Sequence, residues 1–325
     1  MRKYNIHSDF KKYKNTKLPL YPFLLPLINT LITSGVNKIK PVQGVSVTKK
    51  KITGYQNGTI ELTIYEPKEI EKNAPCLIYL HGGAFVLKAA PYHKNLVCEY
   101  ALKTPCKVIF VDYRLAPKYA FPVGVEDCYA AFEWVCKNAE ALGIDKNRIA
   151  IGGDSAGGAL AAAVNLMARD RKASSICFQM LIYPVSDARQ ITESIKNYID
   201  TPMWNSKLNK KMWELYLKDG VHGIREYASP MEATSLENLP HSYIEVSEFD
   251  CLRDEGINFA EALQKSGINV ELYKTTGTIH GFDISEKSEI VRQCVAKRIK
   301  ALKKAFNPLD NPDYLANPGW NKNSV

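Results

Sequence analysis

The residues best suited to chemistry surround one serine. Gly153-Asp154-Ser155-Ala156-Gly157 follows the apolar run Arg148–Ile151 and precedes the helix-forming stretch Gly158–Val164. A serine on so sharp a strand-to-helix turn is pushed out of the backbone, its hydroxyl exposed over a helix N-terminus. Glycines two before and two after let the turn pack closely. A serine hydroxyl is a poor nucleophile until a base takes its proton and a third group orients that base. Among the histidines, His241 precedes its strand, whereas His280 lies in the loop after Val270–Tyr273, so His280 is the base candidate. Asp250 comes first after the apolar run Tyr243–Val246. Asp254 lies in a helical stretch it could cap, and Asp283 is expected to start the final helix. The order serine, acid, histidine selects Asp250. An acyl-transfer site also needs N–H donors for the oxyanion. The run Cys76–Tyr79 leads into Leu80-His81-Gly82-Gly83-Ala84-Phe85, which offers Gly82, Gly83 and Ala84 beside the Ala156 N–H. His81 reads as a residue that pins the loop. Each motif alone is weak; together they sit at strand ends in the required order.

The elements that must hold these residues alternate. Val45–Ile52 and Thr59–Tyr65 flank Gln56-Asn57-Gly58 and read as an antiparallel hairpin. Strands follow at Cys76–Tyr79, Val108–Val111, Ile149–Ile151, Phe178–Tyr183, Tyr243–Val246 and Val270–Tyr273. Helices are expected at Lys94–Lys103, Val123–Ala141, Ser155–Arg169, Arg253–Ser266 and Ser285–Lys304. Continuous apolar strands between helices imply an α/β fold: an eight-stranded, mostly parallel sheet covered on both faces. Residues 43–187 and 229–306 make up this domain. Residues 188–228 break the alternation and read as a helical insertion. Residues 1–42 form a basic, proline-rich leader, and 307–325 a tail with three Asn-Pro pairs and no periodicity.

Composition narrows the functional classes. The chain has 325 residues, 46% of them hydrophobic, enough for one large core. Its net charge of +9 sits mostly in short lysine and arginine runs without an interleaved aromatic stripe, which argues against nucleic acid. The eight cysteines form no CxxC pair, so they read as buried thiols in a reducing, cytoplasmic setting, and no metal site is expected. Leu18–Ile32 has the hydrophobicity of a secretion signal. Pro19, Pro22 and Pro26 interrupt it and no Ala-x-Ala site follows, so it is read as a local helix with an apolar face and no stable membrane insertion.

With these residues in place, the chain resembles the hormone-sensitive-lipase-like esterases of the α/β-hydrolase superfamily. The resemblance rests on His81–Phe85, Asp112–Pro117, Phe121-Pro122 with Val125-Glu126-Asp127, Gly153–Gly158, Leu181–Pro184, Asp250–Glu255 and His280-Gly281-Phe282, across residues 40–305. It implies hydrolysis of short- to medium-chain carboxylic esters with Ser155 as nucleophile, His280 as base and Asp250 as its orienter. It implies oxyanion N–H groups at Gly82, Gly83 or Ala84 plus Ala156, and a cap built from the N-terminal segment and the 188–228 insertion. No cofactor is required, and homodimerisation is expected by analogy. Departures are Ala84 where the family has a third glycine, Cys251 for a proline and Lys118 for a glutamate. Alanine still supplies an N–H, so the hole can form if Ala84 adopts a negative φ. Under the cap, Trp204, Trp213, Tyr216 and Met212 are candidates to line a substrate pocket, although residues at helical spacing are more often cap core. Tyr183, at a strand end, is the better-placed candidate. A non-catalytic small-ligand receptor on the same scaffold is disfavoured because His280 is present. An amidase, thioesterase or lactonase could use the same triad.

Overall fold

A computed structural model describes residues 4–16, 18–39, 42–174, 176–221 and 223–307. The N-terminal segment contains a 3₁₀ turn at Ser8–Tyr13 and helix α1 (Leu25–Asn37). Strands β1 (Val45–Thr53), β2 (Thr59–Pro67) and β3 (Ala74–Leu80) precede α2 (Pro91–Lys103), β4 (Lys107–Asp112), α3 (Val123–Lys137) and β5 (Ile144–Asp154). Then come α4 (Ala156–Asp170), β6 (Phe178–Ile182), α5 (Glu193–Asn197), α6 (Ser206–Tyr216), β7 (His241–Val246), α7 (Arg253–Lys265), β8 (Val270–Lys274) and α8 (Glu289–Phe306).

The eight strands form one sheet in the order β1-β2-β4-β3-β5-β6-β7-β8. β2 runs antiparallel to both β1 and β4, and the remaining pairs are parallel. Every residue of β3, β6 and β7 is buried, as the continuous apolar runs require of strands covered on both faces. One face packs against α3, α4 and α7 through Val125, Phe132, Leu160 and Phe259. The other packs against α2 and α8 through Val97, Tyr100, Val295 and Leu302.

Two helix ends differ from the sequence expectation. α3 stops at Lys137 rather than Ala141: Asn138 leaves helical geometry at φ −104° and ψ 12°, and its side-chain amide donates to the Trp134 carbonyl at 2.8 Å. α8 starts at Glu289, not Ser285. The residues before it form a 3₁₀ turn at Phe282–Ile284, so Asp283 lies outside that helix. The insertion is helical, with α5 and α6. It meets the N-terminal segment directly: Leu20 and Leu25 share a core with Trp204, Met212, Trp213 and Tyr216, and the Tyr4 hydroxyl donates to Asp200 at 2.6 Å. Of the tail expected at 307–325, all but Asn307 lies outside the described residues.

Candidate active site

β5 delivers Ser155 at its carboxyl end. There the backbone takes φ 54° and ψ −120°, a region almost closed to residues with a side chain. The turn holds because two glycines remove obstacles. A Cβ on Gly153 would stand 2.3 Å from the Leu80 carbonyl oxygen, and one on Gly157 1.9 Å from it. β3 and the nucleophile turn therefore pack backbone to backbone, which brings the Gly82–Ala84 loop beside Ser155. The Ser155 N–H donates to the Ile182 carbonyl at 2.8 Å, fixing the turn to β6.

The loops after β7 and β8 are stitched together just before their key residues. Phe249 and Ile279 form a parallel bridge, and the Phe249 N–H donates to the Thr278 carbonyl at 2.9 Å. The next residue on each loop is Asp250 and His280. His280 Nδ1 lies 2.6 Å from Asp250 Oδ2, and its Nε2 lies 2.8 Å from Ser155 Oγ. A carboxylate only accepts, so Nδ1 carries the proton and Nε2 is free to accept the serine hydroxyl. The second Asp250 oxygen takes the Leu252 N–H at 3.0 Å. Asp250 is wholly buried and Ser155 and His280 are nearly so. The Tyr183 ring meets the His280 imidazole edge-on, centroids 4.9 Å apart, and the Trp204 indole lies 5.8 Å away on a tilted plane.

The oxyanion candidates divide. The Gly82 N–H is already committed to Asp154 Oδ1 at 3.0 Å, and a Cβ on Gly82 would lie 2.4 Å from Oδ2. Gly82 is thus a seat for Asp154, which corrects the expectation that its N–H faces the substrate. Gly83 and Ala84 line the cavity beside Ser155, and Ala156 opens α4 immediately after it. Ala84 also departs from expectation: its φ is +56°, in the left-handed region that costs a residue with a Cβ about 1–2 kcal/mol. Gly83, at +131°, needs its missing side chain.

Asp154 organises a second buried cluster that sequence spacing did not suggest. Besides Gly82 it accepts from the Tyr79 hydroxyl at 2.9 Å, the Tyr92 hydroxyl at 3.2 Å and His93 Nε2 at 3.0 Å. His93 Nδ1 faces the Ala90 carbonyl at 3.1 Å, so both ring nitrogens meet acceptors. Burial pushes His93 down, but the Asp154 charge and hydrogen bond outweigh it and leave the imidazole above its ordinary value. Burial likewise raises Asp154, yet His93 and the donated hydrogen bonds bring it below the usual carboxylate range. His93 and Asp154 are 61 residues apart with no motif linking them; the one sequence signal is that each is polar beside an apolar strand or helix. His81 is also buried. It stacks on Tyr113 with centroids 4.5 Å apart and bonds its Nδ1 to the Gly82 carbonyl at 2.6 Å, which suits a loop-pinning role.

Above the triad lies an apolar cavity of about 180 Å³. Leu18 and Ile32 of the N-terminal segment, Met203 and Trp204 of the insertion, and Tyr183 contribute to its lining. Tyr183 is the more constrained of these: its hydroxyl donates to Asp283 Oδ2 at 2.5 Å, and Asp283 in turn pairs with Arg298 at 2.9 Å. Trp213 does not reach the cavity. It is buried behind it against Phe85 and Tyr216, with centroids 6.0 Å from each, which corrects its place among the substrate-facing aromatics. Met212 and Tyr216 are cap core as well. The other family segments are structural: Arg114 forks onto Asp127 at 2.8 Å through both Nε and Nη2, and Lys118 lies over the Tyr119 ring. Among the described residues, no group of three or more His, Cys, Asp or Glu could hold a metal ion.

Taken together, this arrangement can deprotonate a serine against a neutral imidazole and stabilise an oxyanion at its side. The α/β hydrolase fold family matches residues 77–284. Esterase LipI of Mycobacterium tuberculosis is 35% identical over 228 residues, 69% of this chain and 71% of that protein. Carboxylesterase NlhH of the same species is 32% identical over 268 residues, 80% of this chain and 83% of that protein. Among solved structures, a bacterial heroin esterase superposes with a TM-score of 0.84 at 32% identity, covering 93% of this chain and 98% of that one. The chain belongs to the α/β hydrolases, in the hormone-sensitive-lipase-like esterase family.

Proposed function

We propose that the protein is a serine carboxylesterase that hydrolyses short- to medium-chain carboxylic esters through an acyl-serine on Ser155. The observation that carries this reading is the relay Ser155 Oγ–His280 Nε2–Asp250, at 2.8 and 2.6 Å, on the floor of a small apolar cavity. Ser155 Oγ attacks the ester carbonyl as its proton passes to His280 Nε2. Asp250 holds the tautomer and stabilises the imidazolium. The N–H groups of Gly83, Ala84 and Ala156 receive the oxyanion. The intermediate collapses, the C–O bond breaks, and the alcohol leaves with the proton from Nε2. Water, deprotonated by His280, then releases the acid and restores the serine.

Leu18 and Ile32 of the N-terminal segment and Met203 and Trp204 of the insertion cap this site. Leu18, Ile32, Met203 and Trp204 set the acyl length that fits, and a cavity of about 180 Å³ supports compact acyl groups. The free state of all eight cysteines supports a reducing, cytoplasmic setting. Homodimerisation remains the family expectation, which light scattering measures.

Hydrolysis of p-nitrophenyl acetate, butyrate and octanoate tests the reading. Turnover is expected on the first two and a fall at octanoate. Ser155→Ala should lower kcat by roughly four decades or more. Equal turnover by variant and wild type would remove Ser155 from the mechanism. A faster amide, thioester or lactone series would reassign the substrate class.

A further inference from the structure

Helix α1 presents one apolar side to the cavity and another to solvent. Leu25 is buried and Ile32 lines the pocket, but Leu27 and Leu31 are 60% and 63% exposed. Phe23, four residues before Leu27 in the turn that leads into α1, is 77% exposed, and Tyr21 is half exposed beside it, with ring centroids 5.9 Å apart. The four-residue spacing puts Leu27 and Leu31 on one side of α1, and Phe23 is exposed in the turn just before the helix. A contiguous exposed stripe of large apolar side chains, unlike scattered single ones, marks a contact surface.

The charges beside it indicate which surface. α1 itself carries no charged residue. Lys211 of α6, however, sits 4.2 Å from the centre of the Tyr21 ring. Lys207 and Lys210 on the same helix are exposed, as is Lys38 just beyond the end of α1. A second copy seated symmetrically on this face would bring its own lysines against these, whereas an anionic lipid surface satisfies the apolar stripe and the lysines at once. Among the described residues no helix is long and apolar enough to cross a membrane, so the contact would be peripheral. The opposite side of α1 is tied to the loop after β3. The Asn29 side chain, on α1, donates to the Val86 carbonyl at 2.9 Å and accepts the Lys88 N–H at 2.8 Å, in the segment that follows Gly83 and Ala84.

We propose that Phe23, Leu27 and Leu31, flanked by the lysines of α6, form a docking face for an anionic phospholipid surface, which places the cavity beside the lipid. This goes beyond the ester-hydrolysis reading and does not depend on it, because the first readout is binding.

The test is co-sedimentation of the full chain with vesicles of phosphatidylcholine mixed with phosphatidylglycerol, and of phosphatidylcholine alone. Binding is expected to the mixed vesicles, to weaken as salt rises, and to be small without the anionic lipid. The variant F23S/L27S/L31S should bind at least tenfold more weakly while hydrolysing dissolved p-nitrophenyl acetate at the wild-type rate, which also reports that it folds. Lys207→Glu with Lys211→Glu should weaken binding to the mixed vesicles only. No sedimentation of the wild type, or equal sedimentation of the wild type and F23S/L27S/L31S, would overturn the proposal. So would a wild-type dimer that becomes monomeric in that variant by light scattering, which would assign the face to a second copy.

Discussion

Asp154 precedes the proposed nucleophile and also holds the proposed oxyanion loop, because its carboxylate takes the Gly82 N–H and is locked in turn by His93, Tyr79 and Tyr92. Asp154→Ala frees that N–H and leaves the His93 charge buried without its partner. It should lower kcat by about 10²-fold, the cost of a loop displaced by about 1 Å, with a smaller change in KM; steady-state kinetics on p-nitrophenyl butyrate measure this. An unchanged kcat would mean that Gly83 and Ala84 hold their place without the clamp. Asp250→Asn acts differently. It leaves the loop intact and allows the wrong tautomer of His280, so kcat should drop about 10⁴-fold with folding stability largely kept. That Ser155, His280 and Asp250 would come together was legible in the sequence, because their order and their positions at strand ends are local properties. The Gly82–Asp154 contact was not, since it depends on how β3 lies against β5. Trp204 and Trp213 were indistinguishable for the same reason: which indole meets the cavity is set by the packing of α6 on Phe85.

The nucleophile turn and the last helix each rest on one unusual contact. Gly157→Ala would force a methyl to within 1.9 Å of the Leu80 carbonyl oxygen and 2.7 Å of the His81 carbonyl carbon, backbone atoms that cannot swing away. A loss of roughly 3 kcal/mol or more is expected in urea unfolding. Gly158→Ala, whose added Cβ meets the Pro184 Cβ at 3.0 Å, should cost clearly less. Equal costs would show that β3 does not press on this turn. At α8, Arg298 is completely buried between Glu245 of β7 and Asp283 of the His280 loop. Arg298→Met leaves two facing carboxylates without their cation, and breaking a buried pair this way costs about 3–5 kcal/mol. Sequence periodicity found both α4 and α8 but misplaced the start of α8, because Asp283, read there as a helix-starting acid, is held by this distant arginine.

At the scale of the whole molecule, the strand and helix alternation was enough to read the sheet, since a parallel α/β core writes its burial into continuous apolar runs. The polar groups sealed inside that core were not readable, because a histidine at a strand end looks alike whether solvated or buried. Their protonation sets how stability depends on pH. His81 is wholly buried, and burial followed by the charge of His93 lowers its pKa to about 4, against about 6.5 in the unfolded chain. The folded state therefore binds a proton less readily than the unfolded one. Its stabilising effect is full above pH 6.5 and is lost as pH falls from there to 4, by about 3 kcal/mol. His93 has the opposite sign: its raised value gives stability that is full below the unfolded pKa and fades as pH rises through the folded one. Asp154, held below the ordinary carboxylate range, stays charged through most of the interval in which His81 titrates and is lost only in stronger acid. Urea midpoints at pH 7, 5.5 and 4.5 should therefore fall towards acid. His81→Asn keeps a donor near the Gly82 carbonyl but cannot take up a proton, so its midpoints should fall less steeply over that range even if it starts from lower stability. Parallel slopes for the two proteins would transfer the acid sensitivity to other groups and leave His81 as a purely geometric prop for the oxyanion loop.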